Sequence, residues 1–344
     1  MAEADPGDLL TALPAVPEVT VADAAALDAL LRTAERPFVV RGLAAGWPLV
    51  AAGLGSAAAA RDYLLAHHRD RPFPVSITVP NSGGRMFYDD AMAMNFRMME
   101  ARLPEIFARI AELGDQPEAP SIYLASIDMH GFFEGLDATN RIDLGTRELL
   151  TSLWIGTRTR IAAHNDVPNN LAVCAVGRRR FTLFPPAQFR NLYLGPVDNT
   201  PAGRAISMVD FHAPDLDRHP RFAEALAAAQ VADLEPGDAL YIPALWWHHV
   251  EGLEPFNVLV NYWWRDAPRW MGQPQEALNH AMLAIRDLPA DQKAHWREMF
   301  DHYVFANDEQ VVAHIPEGGR GILDPMTPSL AARLRGYLLK ALSR

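Results

Sequence analysis

In the run AHNDV, His164 and Asp166 stand two residues apart. On a β-strand that spacing sends both side chains to one face, roughly 6 to 7 Å apart along the chain, so both can reach one ion. Imidazole plus carboxylate is the ligand mixture of a non-haem Fe(II) facial triad, which needs one further histidine and leaves coordination positions open for reactants. A single H-x-D carries little weight, because such triplets arise by chance in long chains. The segment EPGDALYIPALWWHHVE, residues 235–251, supplies two candidates for the third ligand. A turn feeds a short apolar strand, and after a bend Trp246 and Trp247 precede His248 and His249. Adjacent strand residues point to opposite faces, so one of the two histidines at most shares a site with His164 and Asp166. The spacing does not say which. The alternative, two surface or capping imidazoles, is opposed by the bulky tryptophans beside them.

The run RRRFTLFPP carries a second chemical signal. Alternation puts Phe181 and Leu183 on one face and Arg179 with them, while Arg178, Arg180 and Thr182 face away. A buried guanidinium is costly without an anion, and its planar fork suits a carboxylate presented end-on, from a ligand or from an internal Asp or Glu. In NVLVNYWW the same period places Asn261 and Trp263 on the face of Leu259, a further polar group on an apolar strand, whose alternative is a buried, satisfied amide.

These residues need a β scaffold, and the texture of the chain supplies one. From SIYLASI at residue 121 to NVLVNYWW at 264 the sequence is mostly short strand-like runs broken by Pro, Gly and Asn. RIAAHNDVPNNLAVCAVGRRRFTLFPP reads as a buried hairpin. Before it, VADAAALDALLRTAE, SAAAARDYLLAHH and MMEARLPEIFARIAEL have helical spacing, and RPFVVRGL and FPVSITVP read as strands. Beyond residue 270, PQEALNHAMLAIRDL, DQKAHWREMFDHYVF and SLAARLRGYLLKALSR are helical. The expected organisation is residues 1–120 as helices and strands packing on the core, 121–268 as the catalytic core, and 269–344 as a helical appendage. A long segment between a strand ending near Pro186 and one beginning near Leu240 is expected to shape the mouth of the site, either as an open groove with Tyr193, Arg204, Phe211 and His212 along it or as a lid over a small molecule.

The 344 residues are enough for one large domain with an appendage. The single cysteine, Cys174, excludes an intramolecular disulfide and a thiolate metal cluster. No window approaches the roughly 20 apolar residues of a membrane span, and the first residues lack a basic region followed by an apolar core, so a cytoplasmic protein without a membrane partner is expected. A net charge of −11 disfavours nucleic acid as a partner.

Residues 121–264 resemble the JmjC and cupin-like Fe(II)/2-oxoglutarate oxygenases, closest to the factor-inhibiting-HIF type of asparaginyl hydroxylase. The resemblance rests on HNDVPNN, GRRRFTLFPPAQFRNLY, SMVDF, PGDALYIPALWWHHVE and VNYWW in the family's order, and RPFVVRGLAAGWP extends it toward the N-terminus. It implies a mainly β fold with flanking helices, a double-stranded β-helix (jelly roll) core. It implies that His164, Asp166 and His248 bind Fe(II), with His249 behind the ligands or outward. It further implies that Arg179, in place of a lysine, holds the far carboxylate of the co-substrate 2-oxoglutarate with Tyr123, while Asn170 and Asn261 lie near co-substrate or iron. The implied reaction uses O₂ to hydroxylate an aliphatic C–H bond, on a polypeptide or else a small metabolite; a cupin that works without 2-oxoglutarate and a non-catalytic binding module are the rivals. Trp246, Trp263, Phe184 and Ile206 are the expected pocket walls.

Two departures bear on this. Ile161 stands where a threonine would contact 2-oxoglutarate, and Ala205 and Ile206 stand where polar residues would hold a target asparagine, so asparagine specificity does not carry over. A homodimer is expected through the C-terminal helices, where Leu330, Leu334, Tyr337, Leu338 and Ala341 form an apolar stripe.

Overall fold

The computed structural model describes Leu10 and residues 13–116, 118–268 and 270–343. The chain divides into two units, one ending at Trp264 and one beginning at Arg265.

In the first unit the described strands are β1 (Phe38–Val40), β2 (Pro72–Thr78), β3 (Arg85–Met86), β4 (Phe96–Arg102), β5 (Ile122–Asp128), β6 (Leu150–Gly156) and β7 (Thr159–Asn165). They continue with β8 (Asn169–Val176), β9 (Arg179–Phe184), β10 (Gln230–Leu234), β11 (Ala239–Ile242), β12 (Trp247–Gly252) and β13 (Asn257–Trp264). A larger sheet has the order β1-β11-β8-β13-β6-β5-β2-β4, and a smaller one β10-β9-β12-β7-β3. Ladders are antiparallel except β3 with β7. The inner faces of the two sheets enclose an apolar cluster that includes Cys174, Phe181, Leu240, Val250 and Leu259. The larger sheet buries its outer face under the helices Ala24–Thr33, Pro48–Gly55, Ala57–His67 and Leu103–Leu113. Covered on both sides, β8 is buried at every position, which is why it reads as an unbroken apolar run rather than an alternation. This is the double-stranded β-helix core implied by the motifs.

The expected hairpin over 160–186 does not form. β7 and β9 lie in the smaller sheet and β8 in the larger, so the chain switches sheets twice. The second switch turns at Gly177, whose φ is +73°, and a Cβ there would lie 2.5 Å from Asn257 Oδ1. Gly177→Ala is therefore expected to destabilise the protein by about 1 to 3 kcal/mol, whereas Gly55→Ala, where a Cβ meets nothing within 4 Å, should not; urea unfolding midpoints compare the two.

Other expectations shift as well. Residues 98–102 belong to β4 and not to a helix; the helix starts at Leu103, with Pro104 in its first turn, where the missing N–H is harmless. The N-terminal strands do more than pack on the core: β1 and β2–β4 extend the sheets at their edges. The strand after Pro186 begins at Gln230, because β10 pairs with β9 before the chain reaches β11. The segment between is compact. Phe184, Leu192, Val209, Phe211 and Phe222 form a cluster on the outer face of the smaller sheet.

The second unit is helical, with Pro274–Ala284, Ala290–Phe300 and Pro328–Leu342 as its longest helices. Among its described apolar residues Val311 and Leu330 are buried, while Leu278, Leu283, Phe305 and Leu339 are exposed. No helix among the described residues is long and apolar enough to cross a membrane.

Candidate metal centre

β7 and β12 pair in antiparallel register with His164 directly opposite His248. Directly opposed residues present their side chains to the same face, and the two rings lie 4.4 Å apart between centroids. Asp166 follows the end of β7, and its Oδ2 is 3.7 Å from His248 Nε2. One ligand atom from each of the three side chains falls within 4.8 Å of the others. Each imidazole is held from behind: Nδ1 of His164 lies 2.9 Å from the Ala162 carbonyl, and Nδ1 of His248 lies 3.1 Å from the Trp246 carbonyl. A carbonyl only accepts, so Nδ1 carries the proton in both rings and Nε2 keeps its lone pair for a metal. Burial, and then the neighbouring His164, push His248 well below the usual imidazole range, which keeps it neutral. The donor set, tautomers and spacing all fit a divalent metal ion.

The three side chains line a cavity of about 490 Å³ between the sheets, a volume ordinary for small-molecule sites. Arg179 lies on the same wall, 2% exposed, with Phe181 and Leu183 buried beside it. Arg178 faces solvent and pairs with Glu254 at 2.6 Å, and Arg180 pairs with Asp233 at 2.7 Å. Among the described residues no carboxylate pairs with Arg179, and its Nε has no hydrogen-bond partner. Burial lowers its pKa, opposed mainly by the Tyr123 hydroxyl beside it. Burial raises Tyr123 itself to about 12, so that hydroxyl remains a donor. Asn261 Nδ2 donates to Asn170 Oδ1 at 2.8 Å, and Asn261 Oδ1 is buried without a partner among the described residues. The internal salt bridge open to Arg179 is thus absent among the described residues, leaving a buried cation aimed into a cavity.

Ile161 also lines the cavity, although strict alternation from His164 would turn it outward. A register shift between the pairs at His248 and Val250 inserts an extra residue into β7 and brings Ile161 round. Trp263 and Ile206 line the cavity. Trp246 and Phe184 do not. Trp246 packs into the core between the sheets, leaving its carbonyl to orient His248, and Phe184 shares the outer face of Thr182 with Phe211 and Phe222. Phe211 is buried there too, and Tyr193 packs edge-on against His219, so neither is free to grip a substrate. His249 points away from His248 yet is not exposed. It packs on Phe211 with its Nδ1 3.7 Å from Glu251, which also bonds His212 at 2.6 Å. Burial pushes His249 down to about 4.

Sequence reasoning missed part of the cavity wall. Met86, Met94, Phe96, Met98 and Trp154 also line it, with Met98 exposed at its edge, and the density of methionine in DDAMAMNFRMME was the available signal.

A jelly roll with two histidines on paired strands and an aspartate just after one of them, beside a buried arginine without a carboxylate partner among the described residues, has the architecture of a cupin with a site that could hold a metal ion. Residues 24–269 match the cupin-like domain. The chain belongs to that family, the group of JmjC and cupin-like proteins that includes the 2-oxoglutarate oxygenases. It is 38% identical to tRNA wybutosine-synthesizing protein 5 of Mus musculus over 105 residues, 30% of this chain and 30% of the relative. It is 31% identical to human HSPB1-associated protein 1 over 140 residues, 39% of this chain and 27% of the relative. It is 31% identical to lysine-specific demethylase 8 of Xenopus tropicalis over 118 residues, 34% of this chain and 25% of the relative. The matched stretches thus span less than a third of the length of these relatives.

Proposed function

We propose that the protein is an Fe(II)- and 2-oxoglutarate-dependent dioxygenase that hydroxylates an aliphatic C–H bond on a polypeptide side chain. The observation that carries the reading is Arg179, a buried guanidinium without a carboxylate partner among the described residues, on the wall of the cavity that holds His164, Asp166 and His248. A buried cation of this kind calls for an anion supplied from outside the chain, and the far carboxylate of 2-oxoglutarate fits it. Tyr123 would donate to the same carboxylate. His164, Asp166 and His248 would hold the iron, and the Asn261–Asn170 pair would stand beside it, with the free Asn261 oxygen able to accept a further hydrogen bond.

Bound there, Fe(II) with 2-oxoglutarate would supply the reduction of O₂, one oxygen atom going to the substrate C–H bond as hydroxyl and the other to succinate, with release of CO₂. The chain's own contribution is position and dryness. The carbonyls of Ala162 and Trp246 fix the imidazoles, while Ile161, Ile206, Leu259 and Trp263 supply apolar walls that limit competing water. A small metabolite is the second reading, favoured by Thr200, Pro201 and Ala202, which wall one side of the cavity. Oxygen consumption with Fe(II), with and without 2-oxoglutarate, tests the class; consumption independent of 2-oxoglutarate, or none at all, overturns it. Stimulation by the deproteinised small-molecule fraction of a cell extract, and not by its peptides, would transfer the substrate to the second reading.

The helical unit is proposed to form a homodimer. In Pro328–Leu342, Leu330 is buried and Leu334 and Leu338 are half-buried, but Tyr337 on the same stripe is 69% exposed. An exposed aromatic ring on an otherwise covered apolar stripe suits an association face. Light scattering at micromolar concentration should give twice the chain mass, reduced to one chain by Tyr337→Glu; a monomeric wild type refutes the proposal.

A further inference from the structure

β4 is the last strand of the larger sheet, and no described strand pairs with its far side. Its register with β2 sets Thr78 opposite Phe96, Ser76 opposite Met98 and Pro74 opposite Glu100. The Thr78 N–H turns away from β4 and donates to the Ser121 carbonyl at 3.0 Å, while the next residue, Val79, donates to the Asn95 carbonyl at 2.9 Å. Backbone groups alternate between the two sides of a strand. Odd-numbered residues of β2 therefore bond β4, and Phe96, Met98 and Glu100 turn their own N–H and C=O groups to the open edge. Arg102 continues that series: its N–H goes to the Glu105 carboxylate at 3.4 Å. Side chains alternate with the same period, and those of Phe96 and Met98 line the cavity of the metal centre. Two residues with outward backbone groups thus also aim their side chains at the site. Met98 is nevertheless 74% exposed, a large apolar group on an edge of the kind that sheets ordinarily cover or charge.

The walls behind that edge are apolar. Met86, Met94, Phe96, Ile206 and Trp263 lie between or beside it and the centre. The ionisable residues of the lining are His164, Asp166, His248, Arg179 and Tyr123, and the proposed oxygenase reading assigns all five to metal or co-substrate. No lining carboxylate is left over to receive a cationic side chain.

We infer that the substrate is a polypeptide that joins β4 as an added strand of the larger sheet and lays an uncharged aliphatic side chain, of the leucine type, through the methionine-lined mouth. This rests on the oxygenase reading and deepens it. An open row of backbone donors and acceptors is matched by another peptide backbone. A residue directly opposite Met98 would carry its side chain on the cavity face. A nucleic acid has no such backbone, and the net charge of −11 opposes it. In the reaction the aliphatic C–H becomes C–OH, with O₂ as oxidant and 2-oxoglutarate as reductant, giving succinate and CO₂.

The test uses the full-length protein with Fe(II), 2-oxoglutarate and O₂, reading succinate above the unstimulated rate. Three probes are compared: synthetic dodecapeptides randomised around a central leucine, the same library around a central trimethyllysine, and total tRNA. The leucine library should stimulate most, and the best peptide drawn from it should then be N-methylated at each backbone position in turn. Loss of binding should recur at every second residue, with KM rising about tenfold at each sensitive position. Glu100→Pro, which removes one edge N–H and no bond to β2, should raise the peptide KM by a similar factor. The N-methyl scan on the wild type stands even if that variant fails to fold. A scan without a period of two, or greater stimulation by trimethyllysine or tRNA, overturns the inference while leaving the oxygenase intact. No 2-oxoglutarate conversion under any condition, the basal rate included, would instead overturn the oxygenase reading itself.

Discussion

Arg179→Ala is expected to weaken 2-oxoglutarate binding by about 2 to 5 kcal/mol, tens- to thousands-fold, while Arg178→Ala leaves it nearly unchanged. The two residues are neighbours in sequence and identical in charge, so the comparison isolates placement. Arg178 spends its charge on Glu254 at the surface. Arg179 is sealed between the sheets, where burial disfavours its charge and Tyr123 is the main compensation. A carboxylate arriving there finds a desolvated fork that has no competing protein anion among the described residues. Arg179→Lys keeps the charge and loses the fork, so its affinity should fall between those of the wild type and the alanine variant. Arg179→Met should, without co-substrate, be at least as stable as the wild type, because an unpaired buried charge is removed. Isothermal titration with 2-oxoglutarate on the protein loaded with Mn(II) under argon reads the affinities. Equal losses for the Arg178 and Arg179 alanine variants would refute the assignment.

The second large effect concerns the metal. His164→Ala, Asp166→Ala and His248→Ala are each expected to weaken metal binding by more than about 100-fold, the upper end of what loss of a mere supporting contact costs. His249→Ala should leave the metal bound and lower only stability. The reason is geometric: His248 stands across from His164 on the cavity face, whereas His249 is packed against Phe211 and Glu251 on the other side of the strand. Inductively coupled plasma mass spectrometry after dialysis against Fe(II) under argon, alongside urea unfolding of each variant, separates the two outcomes. Equal metal loss in the His248 and His249 variants would sink the ligand set.

Much of the chemistry was legible in the residues because it depends on local rules. The strand period of two put Arg179 with Phe181 and Leu183 and separated it from Arg178 and Arg180 without knowledge of any partner, and burial follows that division. The same period required His248 and His249 to part. It did not choose between them; the family motif pointed to His248, and the register of β12 against β7 is what sets that ring, and not its neighbour, against His164.

The tertiary structure alone decided what depends on contacts between distant segments. Whether β8 pairs with β7 or leaves for the other sheet is a question of which sheet has room for it, and local alternation is the same in either case. The extra residue in β7 that turns Ile161 into the cavity reflects a mismatch with β12, so a strict count of two from His164 misplaces it. Trp246 and Phe184 are apolar wherever they go; the packing of the core between the sheets and of the segment after Pro186 determined that neither reaches the cavity. Residues 98–102 carry none of the helical spacing of Leu103, Ile106, Phe107 and Ile110, and pairing with β2 made them strand. That pairing carries Met98 to the mouth of a site whose ligands come from β7, β12 and the turn after β7. Period and composition determine which faces of an element are apolar, and therefore which residues can be buried; which buried surface meets which is settled by the closure of the two sheets.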